Sequence, residues 1–197
     1  MESSSNTLKT KKLRNVKSSV ITVQFKLLPT AEQEILLKNS SKEYIRCVNE
    51  IANIISEASE PPKLSSADVA AQLPSAVKNE AINAAKSAVK KFKRGTCGSL
   101  PILKKPVLSW NNQNYKLGDG SVSFPLLITG KSTRISVDAV LKEYQLKRLQ
   151  SGLGSLRVTQ KNGKWIAQVA VKLSPVKPTC DSKMGVDLGL KIPAVAI

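Results

Sequence analysis

Val20-Ile21-Thr22-Val23-Gln24-Phe25-Lys26-Leu27-Leu28-Pro29-Thr30-Ala31-Glu32-Gln33 is the stretch on which the fold turns. Its first nine residues alternate. Ile21, Val23, Phe25 and Leu27 fall on one face and Thr22, Gln24 and Lys26 on the other, which is the period of a half-buried strand. Pro29 ends the alternation, and Thr30-x-x-Gln33 has the form of a capping box, so a helix is predicted from Ala31. The strand thus hands over directly to helical chain.

Tyr44, Val48, Ile51, Ile55 and Ala58 carry an apolar stripe along that helix until Pro61-Pro62 stops it. Ser65 and Asp68 predict a second cap with a short helix to about Leu73, and Ser75 a third cap with a helix to about Arg94. Val77, Ala81, Ala84, Ala85, Ala88 and Phe92 form the expected packed side of the third helix. Lys78, Lys86, Lys90, Lys91, Lys93 and Arg94 charge the rest, with only Glu80 opposing them. A narrow apolar side and a wide cationic side suit a helix laid along a phosphate backbone or in a groove, the plainer alternative being a solvated face.

From Gly95 onward glycine and proline recur and the strands shorten. Pro101–Pro106, with Lys104 and Lys105, reads as a basic loop or edge. Trp110, Tyr115 and the run Asn111–Asn114 offer either a stacking and amide surface for exposed bases or a polar turn with an anchoring Trp. Ser121 to Ile128, with Pro125 at an edge, and Ser132 to Val137 read as strands. Asp138 is the expected cap of a short helix to Gln150, with Val140, Tyr144, Leu146 and Leu149 inward. Ser155–Gln160 and Lys164–Leu173 form a hairpin about Asn162-Gly163, a type I′ signal. Pro175 and Pro178 mark a linker.

The chain has 197 residues, enough for one large or two small domains. It carries 31 Lys and Arg against 14 Asp and Glu, a net charge of +17. The excess is spread over both halves, so a folded body and not a tail alone presents positive surface, and nucleic acid is the expected partner. Residues 1–19, with Lys9, Lys11, Lys12, Arg14 and Lys17, read as a disordered basic leader. Three separated cysteines and no histidine argue against a disulfide framework or a zinc site in this sequence. A reducing compartment is expected, the cytoplasm with its nucleoid, with no membrane partner.

Near the C-terminus Met184-Gly185-Val186-Asp187-Leu188-Gly189-Leu190-Lys191 sets one acid within an apolar strand flanked by glycines. A carboxylate there calls for a cation, and a divalent metal is the usual one. Two other uses of this pattern stand beside it: the phosphate motif of the sugar-kinase, actin and chaperone ATPases, and a plain surface strand.

In this order, five motifs resemble the TnpB family of transposon-encoded, RNA-guided DNA endonucleases, also called OrfB-type transposases and related to the compact type V CRISPR effectors. They are Phe25–Gln33, Leu73–Asn79 leading to Ala88–Arg94, Pro101–Lys105, Gly163-Lys164-Trp165, and Gly185–Gly189. The resemblance covers roughly residues 20–197. It implies an α+β chain: a wedge-like β-barrel from residues 20–28 and about 100–175, a helical recognition insert over 29–99, and, from 176, a linker and the first strand of a RuvC-like domain of the RNase H type.

The resemblance further implies that barrel and insert hold a guide RNA and read a transposon-adjacent motif in double-stranded target DNA. The DNA- and RNA-binding residues would be Ser75, Ala76, Lys78, Asn79, Lys86, Lys90, Lys91, Lys93, Arg94, Lys104 and Lys105. Ser75, Ala76 and Asn79 would be motif readers, Asn being able to pair with adenine. Where this chain has Ala76, the family often has Gln or an aromatic residue. Asp187 matches the first RuvC carboxylate, catalytic and a ligand of Mg²⁺ or Mn²⁺. Pro193 stands where the family usually has Asn or Asp. The family's further acids and zinc ribbon would fall beyond Ile197, and two-metal hydrolysis needs carboxylates from several strands, so cleavage by this chain alone is not expected. The alternative is a complete, non-catalytic DNA- or RNA-binding regulator that competes for transposon ends or assembles with full-length copies.

Overall fold

The computed structural model describes residues 19–173 together with the strand pieces 186–187 and 195–196. Val20–Leu173 is one compact unit. It opens with β1 (Ser19–Leu28), whose residues Val23, Phe25 and Leu27 are buried as the alternation predicts. Next come α1 (Ala31–Glu57) and α2 (Ser75–Lys93). Then follow β2 (Val107–Trp110), β3 (Lys116–Gly118), β4 (Ser121–Ile128), β5 (Lys131–Val140), α3 (Glu143–Leu149), β6 (Gly152–Lys161) and β7 (Lys164–Leu173). Among the described residues this unit is therefore α+β: a curled antiparallel seven-stranded half-barrel of order β2-β6-β7-β1-β5-β4-β3, with three helices.

The curl is visible in one side chain. β2 and β4 are five steps apart in the strand order, about 24 Å in a flat sheet. Yet the Trp110 and Phe124 ring centroids are 4.3 Å apart, and Trp110 Nε1 donates to the Pro125 carbonyl at 3.2 Å. Pro125 lies beyond the end of β3, on the open side of β4, where its missing N–H leaves no ladder bond unmade. Tyr115 adds a second tie, its hydroxyl donating to the Gly154 carbonyl at 2.8 Å, and burial pushes its pKa up to about 12. Gly154 stands at a bulge in β6, where the register shifts between Leu153 and Leu156. A Cβ there would come within 3.1 Å of the Ala170 carbonyl oxygen, so the close approach favours glycine. Trp110 and Tyr115 are thus core residues and offer no stacking surface. Their burial follows from the curl, which no local pattern encodes.

Two hairpins have two-residue turns with positive φ at both positions, the type I′ form. Asn162 (φ 50°) and Gly163 (φ 72°) close β6–β7 as expected. Thr129 (φ 47°) and Gly130 (φ 78°) close β4–β5 with Thr in place of the usual Asn. Trp165, Ala167, Val169 and Val171 are buried on one side of β7.

The capping box at Thr30 forms: Gln33 N–H donates to Thr30 Oγ1 at 3.3 Å and Thr30 N–H to Gln33 Oε1 at 3.1 Å. Gln33 Nε2 also donates to the Ser136 carbonyl of β5 at 2.9 Å, which fixes the helix start to the sheet. Gln145 does the same for α3: its Oε1 accepts from Lys142 N–H at 2.7 Å and its Nε2 donates to the Gln24 carbonyl of β1.

Other expectations are corrected. No helix forms over Ser65–Leu73. Asp68 does accept from Ser65 N–H and Oγ, but side chains from the flanking helices take the groups a helix would need. Arg46 donates to the Ala70 carbonyl, Glu43 accepts from Gln72 N–H, and Lys78 donates to the Val69 carbonyl. Pro74, not Ser75, occupies the N-cap position of α2, with no side-chain cap. The packed side of α2 is Val77, Ala81, Ile82, Ala85 and Val89, whereas Phe92 is exposed. Asp138 caps nothing; it lies within β5 and pairs with Leu28 and Ser121, because the long β4–β5 ladder outweighs the local cap signal. Of the α3 residues expected inward only Leu149 is buried, while Val140, Tyr144 and Leu146 are exposed.

Apart from this unit, Val186–Asp187 (β8) pairs antiparallel with Val195–Ala196 (β9), Asp187 opposite Val195. The Asp187 backbone is therefore in a strand, but its side chain lies outside the described residues, as do the linker and the leader. Among the described residues no helix is long and apolar enough to cross a membrane.

Candidate nucleic-acid interface

Each residue of an α-helix turns the chain by about 100°, which divides α2 into three faces. One is the buried face just named. The second carries Ser75, Asn79, Lys86, Lys90 and Lys93, all exposed. The third carries Glu80, Asn83, Ala84, Ser87, Ala88 and Lys91 and forms one wall of a groove of about 650 Å³. The basic residues of the last turn, Lys90, Lys91 and Lys93, also complement the helix's negative end.

The opposite wall comes from the sheet. Leu108, Trp110, Leu156, Val158, Ala167 and Val169 are buried, so the residues alternating with them point the other way. Ser109 pairs with Arg157, and Arg157 with Gln168, making one row across β2, β6 and β7 on the groove side. Ser155, which the bulge sets beside Gly154, and Thr159 extend it.

The third wall is the segment Pro101–Lys105. It has no regular structure, yet it is held firmly: Leu103 N–H donates to Asn49 Oδ1 at 2.9 Å, and Asn49 Nδ2 donates to the Leu103 carbonyl at 3.0 Å. Further along, the Pro106 carbonyl accepts from Thr159 Oγ1 at 2.8 Å. The segment thus bridges α1 and β6, leaving Ile102 66% exposed at the groove lip and Lys105 in the lining. At the base, buried Tyr44 donates from its hydroxyl to the Glu80 carbonyl at 3.4 Å. Burial, with the Glu80 charge adding, pushes the Tyr44 phenol well above its ordinary range, so it stays protonated and keeps the hydrogen that it donates.

The structure therefore gathers some of the expected binding residues and separates others. Lys91 and Lys105 share the groove with Arg157. Ser75, Asn79, Lys86, Lys90 and Lys93 share the solvent face of α2, with Arg94 exposed at its C-cap and Lys104 exposed on the bridging segment. Ala76 is half-buried. Lys78 is turned inward, its ammonium donating to the Val69 carbonyl at 2.8 Å, which commits it to holding the 65–73 segment. Arg157, Asn83, Ser87, Gln168 and Asn49 were not singled out from sequence. Arg157 alone gave a signal there, as a cation on the polar side of an alternating strand.

Among the described residues that line the groove, Glu80 is the one carboxylate, against three cations. Among the described residues no three His, Cys, Asp or Glu side chains gather as a metal site, and the fit of Mg²⁺ or Mn²⁺ to Asp187 lies outside them. No protein-family model matches the chain, and no curated protein matches it.

Proposed function

We propose that Val20–Leu173 is a nucleic-acid-binding body of the TnpB type, which holds a guide RNA and a transposon-adjacent DNA duplex. The observation that carries this is the concentration of unpaired cations on and beside α2. Lys86, Lys90 and Lys93 line its solvent face, Lys91, Lys105 and Arg157 the adjoining groove, and none of the six has an ion-pair partner among the described residues. Like charges held this close repel one another, and a polyanion relieves the repulsion while releasing its own counterions. The insertion of the helical pair between β1 and β2 also supports the resemblance. In this proposal Asp187 would ligate Mg²⁺ or Mn²⁺, which would polarise a phosphate and its attacking water. Asp187 is a single candidate ligand, and the function proposed is binding.

The test is fluorescence anisotropy of the full chain with a structured RNA and a short duplex across a salt series. Each phosphate contact should contribute about −0.9 to the log–log salt slope on duplex DNA. Charge reversal at Lys86, Lys90 and Lys93 together should lower affinity and flatten the slope. RNA that co-purifies with the chain should be dominated by one species. No binding of either nucleic acid near 0.15 M salt would overturn the proposal, and a featureless spread of bound RNA would overturn its guide-holding part.

A further inference from the structure

Glu80 is the anomaly in the groove. A carboxylate there repels the phosphates that Lys91, Lys105 and Arg157 attract, and it has no ion-pair partner among the described residues. An ionised carboxylate only accepts hydrogen bonds, so its best complement in an unpaired base is an exocyclic amine. Cytosine, adenine and guanine carry one; thymine and uracil do not, and their single ring N–H lies between two carbonyl oxygens that a carboxylate repels. Resting on the nucleic-acid reading above, we propose that the groove seats an unpaired, amine-bearing base of a single strand, with Glu80 accepting from the amine and the three cations holding the flanking phosphates.

Size and surface agree. A groove of about 650 Å³ is of the scale that encloses a small ligand, so it takes about one or two nucleotides and not a duplex. Single-stranded sites need flat apolar surface for the base, and among the described lining residues the one aromatic, Tyr44, is buried at the groove base. Aliphatic surface stands in for them: Ala84 and Ala88 on the helix wall, and Ile102 at the lip. Ile102 is 66% exposed, and the paired Asn49–Leu103 bonds hold the segment that presents it, so its apolar area is available to a base. Across the groove, the Ser109–Arg157–Gln168 row supplies donors and acceptors for a base edge.

The solvent face of α2 is a separate surface, and this makes the inference testable on its own. Anisotropy would be measured with labelled oligo(dC), oligo(dA) and oligo(dT) of roughly ten nucleotides, and with a duplex. The wild type should prefer dC and dA over dT by about tenfold. Glu80→Gln offers both a donor and an acceptor, so it should bring the three together while leaving duplex affinity unchanged. Ile102→Ser, at an exposed position that does not threaten folding, should weaken all three single strands and spare the duplex. Equal wild-type affinities for dC and dT, or a preference that survives Glu80→Gln, would overturn the base slot while duplex and RNA binding still stood. Failure of the wild type to bind any nucleic acid would remove the reading beneath it.

Discussion

Trp110→Ala should cost the Val20–Leu173 unit about 3–5 kcal/mol, the usual range for emptying a large buried aromatic site. Two specific losses fall within that figure. The tilted pairing with Phe124, ring centroids 4.3 Å apart, contributes about 0.5–1.5 kcal/mol beyond its buried area. The indole N–H bond to the Pro125 carbonyl contributes about 1 kcal/mol. Trp110→Phe keeps a ring against Phe124 and loses the hydrogen bond, so it should cost less, about 1–2 kcal/mol. Against a total stability of about 5–15 kcal/mol, the alanine variant loses a large share. Urea unfolding followed by far-ultraviolet circular dichroism measures both, and avoids tryptophan fluorescence, to which Trp110 and Trp165 both contribute. A loss below about 1 kcal/mol in Trp110→Ala would mean that this side chain does not join β2 to β4, and the account of the curl would be wrong. The phenylalanine variant also tests role: its nucleic-acid affinity should match the wild type, and a marked drop in a folded protein would return Trp110 to a binding surface.

Asn49→Ala removes both bonds to Leu103 and should cost about 1–3 kcal/mol in urea unfolding, with weaker nucleic-acid binding because Lys104 and Lys105 lose their placement. Lys90→Ala should weaken binding about equally across sequences and reduce the magnitude of the salt slope by roughly 1, whereas Lys78→Met should leave the slope unchanged because that ammonium serves the Val69 carbonyl. Acid stability offers a further check. Hydrogen bonds from Arg46, then from Gln72 N–H, hold the Glu43 carboxyl below its ordinary 4.5. A depressed folded-state pKa stabilises above the unfolded value, and that share disappears as pH falls through the folded value. Glu43→Gln should therefore flatten the fall in thermal stability below pH 4.5 and change little of its pH dependence near neutrality, while an unchanged acid limb would contradict it.

What was legible in the sequence was local chemistry. Thr30 with Gln33 and Asn162 with Gly163 carry their conformations within four residues, and both formed as expected. The alternation of β1 and β7 likewise needed no partner to be read. Asp138 looked the same as a helix cap, but eight paired positions between β4 and β5 decided its state from a distance. Thr129-Gly130 was missed because a β-branched residue at positive φ is unfavourable alone and is held there by the flanking ladder. The cations of α2 could be read as a group, but not their division into a groove face and a solvent face, which depends on which residues pack. Arg157 and Glu80 are 77 positions apart and meet only through the curl and the helical pair, so no spacing rule reaches them.

β1 lies between β7 and β5, so the earliest strand of the sheet sits among the latest. During synthesis it has no neighbour until about residue 131 and cannot be enclosed on its other side until β7 has left the ribosome. For all that interval Val23, Phe25 and Leu27 face water or a chaperone. Such long-range closure slows folding, and it makes completion of the half-barrel an all-or-none event timed by its final strand. A nascent chain stalled with residue 164 still inside the ribosome should therefore stay open to protease at β1, and one with residue 173 outside it should close abruptly.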